Sequence, residues 1–590
     1  MNALIRIYLL TIALFPHFLL NAAYLTYVPV TVTQPDGTEL NIYASGDEFY
    51  NWLHDVNDFT IVQDEVTGVY CYAILQNEQL APTDILPGVD DPQLSGLRPG
   101  INLPTEVLEQ TINIFTLDSP ASISREDFIN ADEPAILNPI VVYVRFQNQN
   151  EFPAEQTKYS DMFNERGENV NSVTNYFEEV SYGQLTVNST FYPSVEENTI
   201  TSYRDSDRRL NYYKKKTATN LIGYDRFSER KEREHNLVKE AASLMNLYVP
   251  EDLDIDFNND GKVDNIIFII RGDPESEELL WPHRWSLPAD EEDNSDFIYI
   301  HGKKVQDYIF LIENKNDVGI ICHETMHVFG APDLYHKYDY SSPVGVWDVM
   351  ANTTNPPQHP SAYIKNKYCG WINSINEITE SGNYTVNSLL NGQNNCFKIP
   401  FKDHTDQYLV LEYRKNEGIF ESSLPNEGIL IYRVNENYYG NYGYYPELRG
   451  GIFDEVYVFR PGGSIDSIGE FLNANFAGDF NRSKFNKISD PNCFTSFNGD
   501  CDISVNNISF TGEESMNFNV DLCRYDFIAY RSFDTIPPFT KAETIISLGG
   551  IIPPLSNIIF KINDCANIQP GFAIEKGSTL TITPFACGEE

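Results

Sequence analysis

ICHETMHVFGAPDLYH, residues Ile321 to His336, sets two histidines four positions apart, with a glutamate directly after the first. Asp317 is a suitable N-cap for a helix beginning at Val318, and Gly330 a suitable terminator. Residues i and i+4 of a helix share a face, so His323 and His327 can grip one ion while Glu324 lies beside it. Catalytic zinc takes three protein ligands and keeps one position open. Gly330 lets the chain turn sharply, and Asp333 then follows as candidate third ligand, completing H-E-x-x-H-x-x-G-x-x-D. Zinc suits two imidazoles and brings a bound water to a pKa of about 7, and Glu324 is placed to take that water's proton. The competing reading is a core helix that happens to carry two imidazoles; the glycine and aspartate at this spacing weigh against it. Cys322, rotated about 100° around the helix from His323, reads as a packing residue. His336 reads as a surface loop residue rather than a ligand.

Outward from this stretch the chain is long, 590 residues, so several cores are expected. A hydrophobic content of 42% and an aromatic content of 13% exclude a disordered protein. The formal charge of -44 is spread along the chain, which argues against nucleic acid as a partner. The first residues, MNALIRIYLLTIALFPHFLLNAAY, combine Arg6, an apolar run and small residues at Ala22 and Ala23, and read as a secretory signal peptide. No later run is long and apolar enough to span a membrane. Nine cysteines do not make a disulfide scaffold; Cys493 with Cys501, and Cys565 with Cys587, are candidate pairs.

Residues 24 to about 133 show short alternating runs broken by turns such as Asp36-Gly37, which suggests a small α/β unit followed by a linker, DDPQLSGLRPGINLP. From Pro139 the texture changes. IVVYVRF (140–146), NIIFII (265–270) and DYIFLI (307–312) read as buried strands, and SVTNYFEEVSYG and NLVKEAASLM as helices. This mixture predicts one α/β or α+β domain up to about Ile372. Beyond it QYLVLEYR, GILIYRV and DEVYVFRPGG alternate with turns and predict β structure. No long-period repeat is evident.

A second ion is suggested by DIDFNNDGKVDN. Asp256, Asn258 and Asp260 offer oxygens at alternate positions, Lys262 a carbonyl, and Asp264 closes the set. This is the first part of a calcium loop, with Ile267 where a full EF-hand carries glutamate. The plain alternative is an acidic turn before a strand.

HETMHVFGAPDLY, followed by VGVWDVMANTTNPPQHPSAYIKNKYCGW, resembles the immune-inhibitor-A-type (M6) secreted bacterial zinc metallopeptidases. VSYGQL, WPHRWSL, QYLVLEYR and LPNEGILIYRV are similar to further family segments, so the likeness runs from about residue 134 to 520. The resemblance implies zinc on His323, His327 and Asp333, Glu324 as general base, Met350 in a metzincin Met-turn, calcium in the acidic loop, and an N-terminal propeptide. Two departures stand out: Tyr363 replaces another kind of aromatic, and Asn352, not a tyrosine, lies two positions past Met350. The expected layout is a signal peptide (1–23), propeptide (24–133), metzincin-like catalytic domain (134–372), β-rich domain (373–523) and short β-rich module (524–590). The expected protein is a secreted or cell-surface monomeric zinc endopeptidase acting on proteins or peptides and made as a zymogen. Its rivals are an inactive surface-binding paralogue and a zinc hydrolase of a non-protein substrate. For latency, a block by the whole N-terminal segment is expected over a lock by the Cys71 thiolate, because GVYCYAIL reads as a strand with a buried cysteine.

Overall fold

The computed structural model describes residues 25–46, 50–104, 107–108, 123–130, 133–194, 198–217, 220–272, 282–288, 297–336, 342–402, 404–445, 451–464, 467–499, 501–522, 527–531, 539–548, 551–568 and 572–584. The expected signal peptide and Cys587 lie outside them.

At the centre is a mixed sheet in the order Thr190–Tyr192, Ile140–Phe146, Ile266–Ile270, Asp307–Ile312, His283–Ser286, with Tyr203–Asp205 pairing the far end of Ile140–Phe146. Neighbours run parallel except His283–Ser286, which pairs antiparallel with Asp307–Ile312. These strands are apolar at successive positions because both faces are covered. Ile140, Val142, Phe268 and Phe310 pack with Leu237 and Val238 of the helix Phe227–Met245. Val141, Tyr143, Ile309 and Leu311 pack with the helices Val173–Val180 and Val318–Val328. The expected strands and helices of this region are therefore present.

The second of these cores does not stop at Ile372. Val410, Leu430, Tyr432, Val434 and Val458 join it from the β-rich part. The sheet there runs Asn376–Glu377, Cys396–Pro400, Gln407–Arg414, Gly428–Asn435, Val456–Val458. Alternate residues face opposite ways. Leu430, Tyr432 and Val434 face the helical layer, while Ile429 and Ile431 pack into a separate core with Phe476, Phe485 and Phe494. Cys493 and Cys501 form a disulfide beside that core, as their closeness in sequence suggested.

In the N-terminal unit residues 25–82 form a six-stranded antiparallel meander, each strand pairing with the next, and a short helix, Arg125–Ile129, follows. One expectation is corrected. The C-terminal end does repeat. Phe527–Arg531, Phe539–Leu548, Asn557–Ile568 and Thr579–Pro584 stack in parallel, pairing Phe539 with Ile559 and Ile559 with Thr581. Most matched positions carry different residues, with Ile528 on Ile545 and Lys541 on Lys561 as exceptions, so the stacking left no evident periodic pattern. No helix among the described residues is long and apolar enough to cross a membrane.

Candidate metal centre

The helix Val318–Val328 begins where its cap predicts: the Asp317 carboxylate accepts the Ile320 N–H at 3.0 Å. Ile320, Ile321, Cys322, Met326 and Val328 bury it nearly all round. Gly319 in its first turn leaves no room for a Cβ against the Thr354 carbonyl. At the other end Gly330 has φ +83°, and the chain reverses to bring Asp333 back over the helix. Asp333 Oδ1 lies 3.3 Å from Nε2 of both His323 and His327. Among the described residues this is the only group of three His, Cys, Asp or Glu side chains able to share an ion, with its ligand atoms within 4.8 Å of one another.

The hydrogen bonds decide what those atoms are. His323 Nδ1 meets the Val349 carbonyl at 2.9 Å, and His327 Nδ1 meets the Ala331 carbonyl at 2.7 Å. A carbonyl only accepts, so each Nδ1 carries the hydrogen, and each neutral ring turns a bare Nε2 lone pair inward. Two lone pairs and a carboxylate oxygen converge with no hydrogen to separate them, which is repulsive until a proton or cation enters. Carbonyls on the far ring nitrogens are the usual second support of a histidine metal ligand. The donor set fits zinc. Burial disfavours the His323 imidazolium, but Asp333 and Glu324 outweigh it and raise its pKa above the ordinary value.

Glu324 is buried, and its Oε1 has no hydrogen-bond partner. Burial raises its pKa, with His323 and His327 opposing. Met350 is buried in the same core. Its carbonyl accepts the Leu334 N–H at 2.7 Å, so the turn Val349–Met350 holds His323 with one carbonyl and the Asp333 loop with the next. Asp348 braces that turn, accepting the Met350 N–H at 2.9 Å and the Ser361 N–H at 2.7 Å. Sequence reading missed Asp348; its only local sign is its place two residues before Met350. Tyr363, the unusual aromatic, donates its hydroxyl to Glu455 at 2.6 Å. Cys322 is buried in packing, as expected. His336 is not on the surface: it is buried, 3.0 Å from Asp454 Oδ1, and outside the cluster.

The acidic loop gives the calcium expectation no support, because the protein's own hydrogens occupy its oxygens. Asp256 accepts from the Asp260 and Gly261 N–H groups and from the Lys303 ammonium. Asn258 accepts the Asp260 N–H at 3.2 Å and turns its amide toward Asp127. Asp260 accepts the Lys262 N–H at 2.9 Å and lies 3.1 Å from the Lys262 ammonium. Asp264 accepts the Phe257 N–H at 2.9 Å. Burial, with Asp256, Asp254 and Asp260 adding to it, pushes Asp264 up to about 7.

A helix that presents two imidazoles beside a mixed sheet, with a carboxylate returned over them, is an arrangement suited to a metal-dependent hydrolase. Residues 148–363 match the family described as immune inhibitor A peptidase M6, catalytic domain. That stretch contains His323, Glu324, His327 and Asp333, so this part of the chain is similar to a metallopeptidase catalytic domain. No curated protein matches the chain.

Proposed function

We propose that this protein is a secreted, metzincin-type zinc endopeptidase made in a latent form. The convergence of His323, His327 and Asp333 at 3.3 Å contacts, with no hydrogen between acceptors, carries this reading. These three residues would hold zinc, which would supply Lewis-acid polarisation at the scissile carbonyl. Glu324 is the group that takes a proton from the attacking water and hands it to the leaving amine. The Val349 and Ala331 carbonyls keep both imidazoles in the tautomer that ligates. Met350 packs under the site and transfers no proton. Calcium in the acidic loop is no part of this reading.

Latency is supported by what covers the site. Tyr335, two residues past Asp333, packs with Trp52 and Tyr50 of the N-terminal meander. His323, Glu324 and Asp333 are all buried in the uncut chain. Cys71 lies on the strand Tyr70–Gln76, buried, and burial raises its pKa, which favours the thiol over a thiolate ligand. The test is hydrolysis of unfolded casein, with and without a chelator, by the chain from Ala23 onward before and after cleavage between Leu97 and Pro139. Chelator-sensitive activity that appears on cleavage is expected. Equal activity of cut and uncut forms would rule out latency, and activity indifferent to chelation would rule out the metal mechanism.

A further inference from the structure

The loop that returns Asp333 is held from outside the helical layer, by three consecutive residues of the β-rich part. Tyr439 donates its hydroxyl to the Gly330 carbonyl at 3.1 Å. The Asn441 N–H donates to the Asp333 carbonyl at 3.2 Å. The Asn441 side chain donates Nδ2 to the Leu334 carbonyl at 2.8 Å and to the Val456 carbonyl at 2.9 Å, while its Oδ1 accepts the Val456 N–H at 3.0 Å. Between them Gly440 has φ +79°, and a Cβ there would lie 2.9 Å from the Asp333 carbonyl oxygen and 3.2 Å from Pro332. A side chain at 440 would therefore strain the backbone and push directly on the residue beside the ion.

This segment is itself rigidly seated. The Gly440 N–H donates to Glu455 at 2.6 Å. Glu455 is fully buried and also accepts from Tyr363 at 2.6 Å and Lys367 at 2.8 Å, both on the helix Ala362–Lys367. Asn441 is fully buried too. The chain thus runs a closed circuit: helix 362–367 to Glu455, Glu455 to Gly440, and Asn441 to the loop of the third ligand.

We infer that Tyr439, Gly440 and Asn441 are positioning residues for Asp333, so that the β-rich part is a component of the metal site. The inference rests on the reading of Asp333 as a zinc ligand. Two ligands on one helix are set by helical geometry alone. The third sits on a loop, and its carboxylate reaches the imidazoles only if the loop backbone is fixed. The Met350 carbonyl fixes it on one side through the Leu334 N–H, and Asn441 fixes it on the other through the Asp333 and Leu334 carbonyls.

The test uses the full chain and reads the metal rather than turnover. Zinc dissociation constants are measured by chelator competition, and the visible spectrum of the cobalt(II)-loaded protein reports ligand geometry. Asn441→Ala and Gly440→Ala are expected to weaken zinc by about 10- to 100-fold, the usual effect of losing an outer support, and to shift the cobalt bands. Tyr439→Phe removes one exposed hydrogen bond and is expected to weaken zinc roughly three- to fivefold. Its ring is about half exposed, so it folds even if Asn441→Ala does not. Tyr413→Phe is the control: this buried tyrosine of the β-rich part donates to the Glu513 carbonyl and packs with Ile429 and Phe476 in the other core, so zinc affinity should hold while the unfolding temperature falls. Wild-type affinity and spectrum in both Asn441→Ala and Tyr439→Phe would overturn the inference. Wild-type affinity in Asp333→Ala would instead overturn the ligand assignment beneath it.

Discussion

The loop at 254–264 and the turn at 323–333 both gather carboxylates, yet they treat charge in opposite ways. In the acidic loop each carboxylate finds a donor: backbone N–H groups for Asp256, Asp260 and Asp264, and the Lys303 ammonium for Asp256. In the turn, acceptor faces acceptor, because both imidazole hydrogens are spent on carbonyls behind the rings. One region meets its carboxylates mostly with donors of its own, and the other does not. Counting oxygens in a sequence does not separate the two cases; asking where the hydrogens point does.

The widest separation between the regions should come from His327→Ala. With one imidazole gone the turn retains two ligands, which hold a catalytic ion poorly. Zinc by elemental analysis and casein hydrolysis should both fall to background, whereas zinc retained at the wild-type level would break the contrast. Glu324→Gln comes next. It should keep zinc and lose about 10²- to 10⁴-fold in hydrolysis, since an amide cannot accept the water's proton; near-normal turnover would move the general base elsewhere.

On the acidic side, Lys303→Met leaves Asp256 buried without its ammonium. The unfolding midpoint should fall by roughly 2–4 °C, as for a modest loss in a domain of this size, and added calcium should leave the wild-type midpoint unchanged. A calcium-dependent rise in the wild type would show that the loop, too, is incomplete alone. The smallest effect concerns pH. Asp264 holds its proton up to about 7 when folded, above the ordinary carboxylate value. The folded state therefore binds more protons than the unfolded state from about pH 4 to about 7, and stability from this group falls as pH rises through that window. Asp264→Asn should remove that fall, narrowing the midpoint difference between pH 5 and pH 8 by about 2 °C. An unchanged difference would place the titration on another group.

What sequence could and could not reach follows from distance along the chain. The metal helix was legible because its cap, its ligand spacing and its terminating glycine all lie between Asp317 and Gly330. The buried strands were legible because burial on both faces leaves uninterrupted apolar runs. Lys303 was invisible as the partner of Asp256, 47 residues upstream. Asn441, whose amide meets Leu334 across 107 residues, carried no local sign at all. His336 was misjudged for the same reason, since Asp454 buries it from far downstream.

That same separation sets a timetable. Closing a loop of such length costs conformational entropy that only later contacts repay. A chain made from its N-terminus exposes His323 and His327 on a helix well before Gly440 and Asn441 exist, so the third ligand stays slack until the strand Val456–Val458 has docked. On the reading of Asp333 as third ligand, capture of a metal would wait until the β-rich part is in place. A chain interrupted before then would carry the motif without the grip.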